Sequence, residues 1–259
     1  MAFKVDNLSL HMSGFNILRG VNVTIDAAQI TAIVGPNGAG KSSFIKVLSG
    51  EIPPTSGEVT LNDKILSEWN LEDRAKVLSV LPQHSSLNFP FNASEVVALG
   101  RIPHRSGQVR DGLIVKEALS LVDASYLERR FFTQMSGGEK QRVQLARVLA
   151  QIWEPDGEKN QFLVLDEPTS ALDLSHQILT LKIVSDMAKR GVGIVMVIHD
   201  LNLAARCADN IIVFDKGSII EKGCPDKVLT RELISAVFGI TPQIINCLLY
   251  TSPSPRDPH

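Results

Sequence analysis

The chain has 259 residues, 44% of them hydrophobic, with 26 basic side chains against 28 acidic ones. A net charge of −2 gives no electrostatic case for nucleic acid or an anionic membrane surface, short of a local patch. Three scattered cysteines, Cys207, Cys224 and Cys247, form neither a C-x-x-C metal pair nor a disulfide framework, and a reducing cytoplasm is expected.

The opening residues, MAFKVDNLSL, lack a basic stretch leading into an apolar one, so no signal peptide is expected. In chain order, strands are predicted over residues 5–10, 17–25 and 30–34, where β-branched side chains are dense. A glycine-rich loop follows, then a helix to about Leu48. Turn-forming residues 50–57 lead to a strand over 58–61, and another strand over 77–81 ends at Pro82-Gln83. From Ser94 the pattern is helical: Ser94 caps a helix over 95–99, and further helices cover 109–122 and 138–150. Residues 162–215 return to β-α alternation. The continuous apolar runs at 162–165 and 194–198 fit buried parallel strands, and the longer-lived requirement of a membrane helix, ~20 apolar residues, is nowhere met. The chain closes on NCLLYTSPSPRDPH, whose prolines continue neither a helix nor a central strand. Residues 242–259 are therefore expected to be a tail, disordered or foreign to the natural protein from about 247, outside the fold.

Residues 35–42 read GPNGAGKS and match G-x-x-x-x-G-K-[ST] through Gly35, Gly40, Lys41 and Ser42. The glycines let successive backbone N–H groups turn inward around a polyphosphate, and the helix behind adds its positive dipole end. The expected cradle comprises Gly35, Pro36, Asn37, Gly38, Ala39, Gly40, Lys41, Ser42 and Ser43, with Lys41 on the outer phosphates and Ser42 on Mg²⁺. A strand before and a helix after set this apart from a glycine turn that merely carries a surface lysine. The run FLVLDE, 162–167, delivers two acids at the end of a buried strand. Asp166 is expected to hold Mg²⁺ and Glu167 to act as general base toward water.

Residues 135–142, MSGGEKQR, add a serine-capped, glycine-bearing helix start, a second set of anion-directed N–H groups. The stretch resembles the signature motif of ABC-transporter ATPases. The resemblance extends in family order through Gln83 (Q-loop), the 170–173 sequence SALD (D-loop) and His199 in VIHD (switch histidine), and covers residues 3 to about 241. It implies an α/β fold: a RecA-like P-loop NTPase core with an N-terminal antiparallel β layer and an inserted helical subdomain at about 84–150, all within an ATPase domain spanning 2–241. It implies a head-to-tail dimer, in which Ser136, Gly137, Gly138 and Asp173 of one copy meet ATP held by the other. Gln83 joins Ser42 and Asp166 at Mg²⁺ and shares catalysis with Glu167 and His199, the last on the γ-phosphate. The implied partners are a second copy of the chain, two copies of a transmembrane permease and, indirectly, a periplasmic substrate-binding protein, at the cytoplasmic face of a bacterial inner membrane and without nucleic acid.

One departure concerns the base. The family places an aromatic near the end of the first strand to stack on adenine, and Met12 stands there, with His11 and Phe15 beside it as alternatives. The cargo branch rests on resemblance too. HDLNLAA, 199–205, is similar to type II importers, and LPQHSSLNFPF (81–91), DLSHQ (173–177) and the polar extension 152–161 resemble the haem-importing members. A ferric-siderophore or cobalamin ATPase is the alternative, and a non-transport ABC ATPase a remote one: the chain has no heptad array, no cysteine cluster and one set of motifs. His11, His84, His104 and His176 are scattered without an axial pair, so haem contact is assigned to the permease and not to this chain.

Overall fold

The structure, a computed structural model, describes residues 2–83, 89–157 and 159–243. The expectations for 84–88, including His84, for Glu158 and for the tail from 244, including Cys247, lie outside these residues.

Two long strands open the chain, β1 (Ala2–Met12) and β2 (Phe15–Asp26). On β2, Val21, Val23 and Ile25 turn inward while Asn22, Thr24 and Asp26 face solvent, the period-two pattern of a half-buried antiparallel strand. β3 (Ile30–Val34) is buried at every residue and leads through the glycine loop into α1 (Lys41–Leu48). Strands β4 (Ser56–Leu61) and β5 (Lys64–Ile65) complete an antiparallel sheet in the order β2-β1-β4-β5.

α2 (Leu71–Val77) then precedes β6 (Leu78–Leu81). Val77 is the last residue of the helix and not the first of the strand, because Asn70 starts a helix there by accepting a hydrogen bond from the Glu72 N–H. Three helices follow: α3 (Ala93–Ala98), α4 (Gln108–Leu121) and α5 (Gly137–Gln151). Asn92, not Ser94, caps α3. Its backbone is extended, its Oδ1 accepts from the Glu95 N–H at 2.9 Å, and Glu95 Oε2 accepts from the Asn92 N–H at 2.8 Å. Ser94 sits in the first turn and donates to the same Asn92 oxygen.

The chain re-enters the sheet with β7 (Phe162–Asp166), crosses by α6 (Leu174–Lys189) to β8 (Gly193–Val197), and continues through α7 (Leu201–Cys207) to β9 (Asn210–Asp215) and β10 (Ser218–Gly223). Short helices α8 (Pro225–Val228) and α9 (Arg231–Phe238) close the described chain. The second sheet has the order β10-β9-β3-β8-β7-β6, parallel except for the β9–β10 pair. Its two faces feed two apolar clusters. One joins Leu163, Leu165, Ile194 and Met196 to the helices α3, α4 and α5, and the other joins Val164, Val195 and Phe214 to α1 and the antiparallel sheet. Among the described residues no helix is long and apolar enough to cross a membrane.

Candidate functional site

Four neighbouring strands, β3, β8, β7 and β6, end at one edge of the sheet, and each delivers one part of the site. The Gly35–Ser42 loop leaves β3. His199 stands two residues past β8, Asp166 ends β7 with Glu167 next, and Gln83 stands two residues past β6. Parallel register fixes their level, since Asp166 pairs with Val197 and Leu81 with Leu165. A cleft of about 880 Å³ opens there, lined by Asn37, Gly38, Ala39, Gly40, Lys41, Ser42, Ser43, Gln83, Glu167 and His199, and by Ile17 of β2.

Glycine is obligatory at the mouth of the loop. Gly35 has φ +150°, and a Cβ there would lie 2.2 Å from the Phe214 carbonyl oxygen of β9. Lys41 is buried, and its Nζ donates to the Gly35 and Pro36 carbonyls at 2.8 and 2.9 Å. Burial pushes the ammonium below the ordinary lysine range, opposed by the nearby charges of Glu167 and Asp166. The first N–H groups of α1 have no intrahelical acceptors, and its opening residues Lys41, Ser42 and Ser43 line the cleft at the positive end of the helix.

Asp166 is 5% exposed, and its Oδ1 is buried without a hydrogen-bond partner. Burial, then repulsion from Glu167, pushes its carboxyl above the usual range, while a hydrogen bond with Ser42 and the charge of Lys41 oppose the shift. Glu167 turns away from the strand with φ +53°, and its Oε1 lies 2.5 Å from His199 Nε2. A carboxylate and an imidazole in contact, set before a phosphate cradle, are suited to take a proton from water and to meet a terminal phosphate.

Ser136, Gly137 and Gly138 do not line this cleft, and neither does Asp173. Ser136 caps α5 reciprocally: its Oγ accepts from the Glu139 N–H at 3.3 Å, and Glu139 Oε2 accepts from the Ser136 N–H at 2.8 Å. That backbone bond holds the Glu139 carboxyl below its ordinary range. Asp173 caps α6, and the His176 N–H, the Ser175 hydroxyl and the His176 ring lower its carboxyl to about 2.

Ile17 is the wall that sequence reasoning did not anticipate. Met12 and Phe15, paired at the tip of the β1–β2 hairpin, are exposed and do not line the cleft, nor does His11. The signal was tertiary: the Ile17 carbonyl packs 3.0 Å from where a Gly40 Cβ would stand. His11 engages Asn16 and His104 the Gln151 carbonyl, each within its own neighbourhood.

A parallel sheet that presents a phosphate loop, a buried aspartate and a glutamate–histidine pair along one edge defines a nucleoside-triphosphate site of the phosphate-loop class. The family model described as "ABC transporter" matches residues 18–170. A Pseudomonas aeruginosa protein named "Hemin import ATP-binding protein HmuV" is 47% identical over 237 residues, 92% of each chain. Its namesake in Gloeobacter violaceus is 46% identical over 92% of this chain and 87% of its own. Among solved structures, a dimeric bacterial ABC transporter cassette, MJ0796, superposes with a TM-score of 0.77 at 25% identity over 86% of this chain and 98% of its own. The chain belongs to the ABC transporter ATPase family.

Proposed function

We propose that this chain is the ATP-hydrolysing subunit of a haem importer. The observation that carries the cargo is the identity over 92% of the chain to proteins named for hemin import, well beyond the extent of the stretch, residues 18–170, that the family model matches. The chemistry rests on the cleft. Lys41, buried and held by two carbonyls, is an ammonium for which a polyphosphate is a better partner than the apolar interior. The loop and the N-terminus of α1 hold the phosphates, and Ile17 covers the base. Glu167 accepts the proton of the attacking water, and His199 keeps that carboxylate in place while meeting the γ-phosphate.

Mg²⁺ fits the residues present. The unpartnered, buried Asp166 oxygen, the Ser42 hydroxyl and the Gln83 amide are the hard oxygen donors such an ion takes. When bound it neutralises charge on the outer phosphates. The signature residues lie outside their own chain's cleft, which supports a head-to-tail dimer. Ser136, Gly137 and Gly138 of one copy, with Asp173 nearby, then close over ATP held by the other. Two such copies serve two permease subunits at the cytoplasmic face of the inner membrane, fed by a periplasmic binding protein.

The test is ATPase rate in proteoliposomes carrying the neighbouring permease, with binding protein loaded with haem, a ferric siderophore or cobalamin. Stimulation by haem alone is expected. Stimulation by another chelate keeps the ATPase and overturns the cargo, and turnover indifferent to all three overturns transport.

A further inference from the structure

Away from the nucleotide cleft, four polar side chains meet where the helices of the insertion touch the segment that carries the catalytic glutamate. Asp123, just past α4, has φ +53° and places its carboxylate between the Arg142 guanidinium and the His176 ring. Arg142 of α5, the helix that Ser136 caps, is buried and donates to the Asp123 carbonyl and to the Tyr126 hydroxyl, with Nη1 3.8 Å from Asp123 Oδ2. From the other side His176 Nε2 lies 3.5 Å from the same Oδ2, while His176 Nδ1 lies 2.8 Å from Asp173 Oδ1. The connection runs from the signature helix through Arg142, Asp123 and His176 to the N-cap of α6.

The two ends of this connection also touch through backbone. A Cβ on Gly138 would come 3.0 Å from the Ala171 carbonyl, and Gln141 Nε2 donates to the Pro168 carbonyl at 3.4 Å. Between them the turn is tied to Glu167 itself, whose carbonyl accepts from the Ser170 N–H and hydroxyl. The start of α5 and the 167–173 turn therefore share one boundary, and His176 is its side-chain clasp.

We propose that His176 is a positioning residue for ATP hydrolysis. By bridging Asp123 to Asp173 it fixes the signature helix relative to the Glu167 turn of the same chain. Contact of this chain's Ser136 with nucleotide held by a second copy is thereby passed to this chain's own Glu167, which makes the two ATP sites cooperative. The inference rests on the two-copy reading above.

The experiment compares steady-state ATPase curves and equilibrium ATP binding for the full-length chain with its permease, as wild type, His176→Ala, His176→Gln, Asp123→Ala and the Ala double variant. Groups coupled through one network predict a fall of about tenfold in kcat for His176→Ala. Cooperativity in ATP is expected to disappear, while ATP affinity stays within about twofold, since the chain's own cradle is untouched. His176→Gln, which keeps an N–H donor, regains part of both losses, and the double variant is no worse than either single one. A folded His176→Ala with wild-type kcat and cooperativity, or losses that simply add in the double variant, overturns the proposal. A wild type that turns over ATP without any cooperativity also overturns the proposal, whereas a Glu167→Gln variant that stays monomeric with Mg-ATP overturns the two-copy reading, so the two failures are told apart.

Discussion

At the scale of single residues, the glycines of the phosphate loop separate two costs that are usually confounded. Gly38 has φ +78° but nothing within 4 Å of where a Cβ would stand, whereas Gly35 combines φ +150° with a carbonyl 2.2 Å away. Gly38→Ala carries backbone strain alone, about 1–2 kcal/mol. Gly35→Ala adds a collision with β9 that only a shift of the loop relieves. It is expected to be the less stable of the two in urea unfolding, and to weaken ATP binding by about a hundredfold as the cradle moves out of register. Equal effects from both substitutions would mean that strain, and not the approach of Phe214, governs the position. The pKa pattern belongs to this scale as well. Asp166 is raised because burial isolates it, and Asp173 is depressed because three donors surround it.

At the scale of elements, caps carry testable stability. Asn92→Ala removes the acceptor that starts α3 and should cost about 1 kcal/mol, seen as a drop of about 2–4 °C in Tm with ATP binding unchanged. Asp173 adds a pH signature. Its folded value near 2 lies below the ordinary 3.8, so its stabilising effect is complete above the ordinary value and is lost as pH falls toward 2. The stability gap between wild type and Asp173→Ala, measured by urea unfolding, should therefore hold steady at neutral pH and narrow in that acid window. Elements of this kind also mark the limit of what the sequence discloses. The buried strands β3, β7 and β8, the loop, the Asp166-Glu167 pair and the Ser136 cap were legible because each is a local run whose chemistry needs no distant partner. α2 was not, since its short, mixed run LEDRAKV carries little apolar periodicity, and Asn70 was the one clear signal. Asn92 and Ser94 are both competent caps, and backbone geometry decides between them. Ile17 and the Asp123–His176 contact come from packing between segments far apart in sequence, which periodicity does not encode.

At the scale of the whole molecule, the site is an edge and not a pocket enclosed by one chain. The phosphate loop, Glu167 and His199 line an open cleft at the ends of β3, β7 and β8, while the Ser136 cap stands elsewhere on the same chain. Glu167→Gln keeps the cradle and removes the proposed base. Turnover is expected to fall by at least about a hundredfold, and the variant with Mg-ATP should elute as a dimer in size-exclusion light scattering. A monomer under those conditions would refute the shared site. Strand order carries a further consequence, for the chain as it is made. β3 is completed by residue 34, yet both of its sheet neighbours, β8 and β9, lie beyond residue 192. A nascent chain on the ribosome thus carries its phosphate loop on a strand with two open edges for most of synthesis, an exposure of the kind that invites mispairing. The loop is translated early, but it acquires its neighbours only once residues 193–215 emerge, so translation products that stop short of them hold the nucleotide motif without a place to fold it.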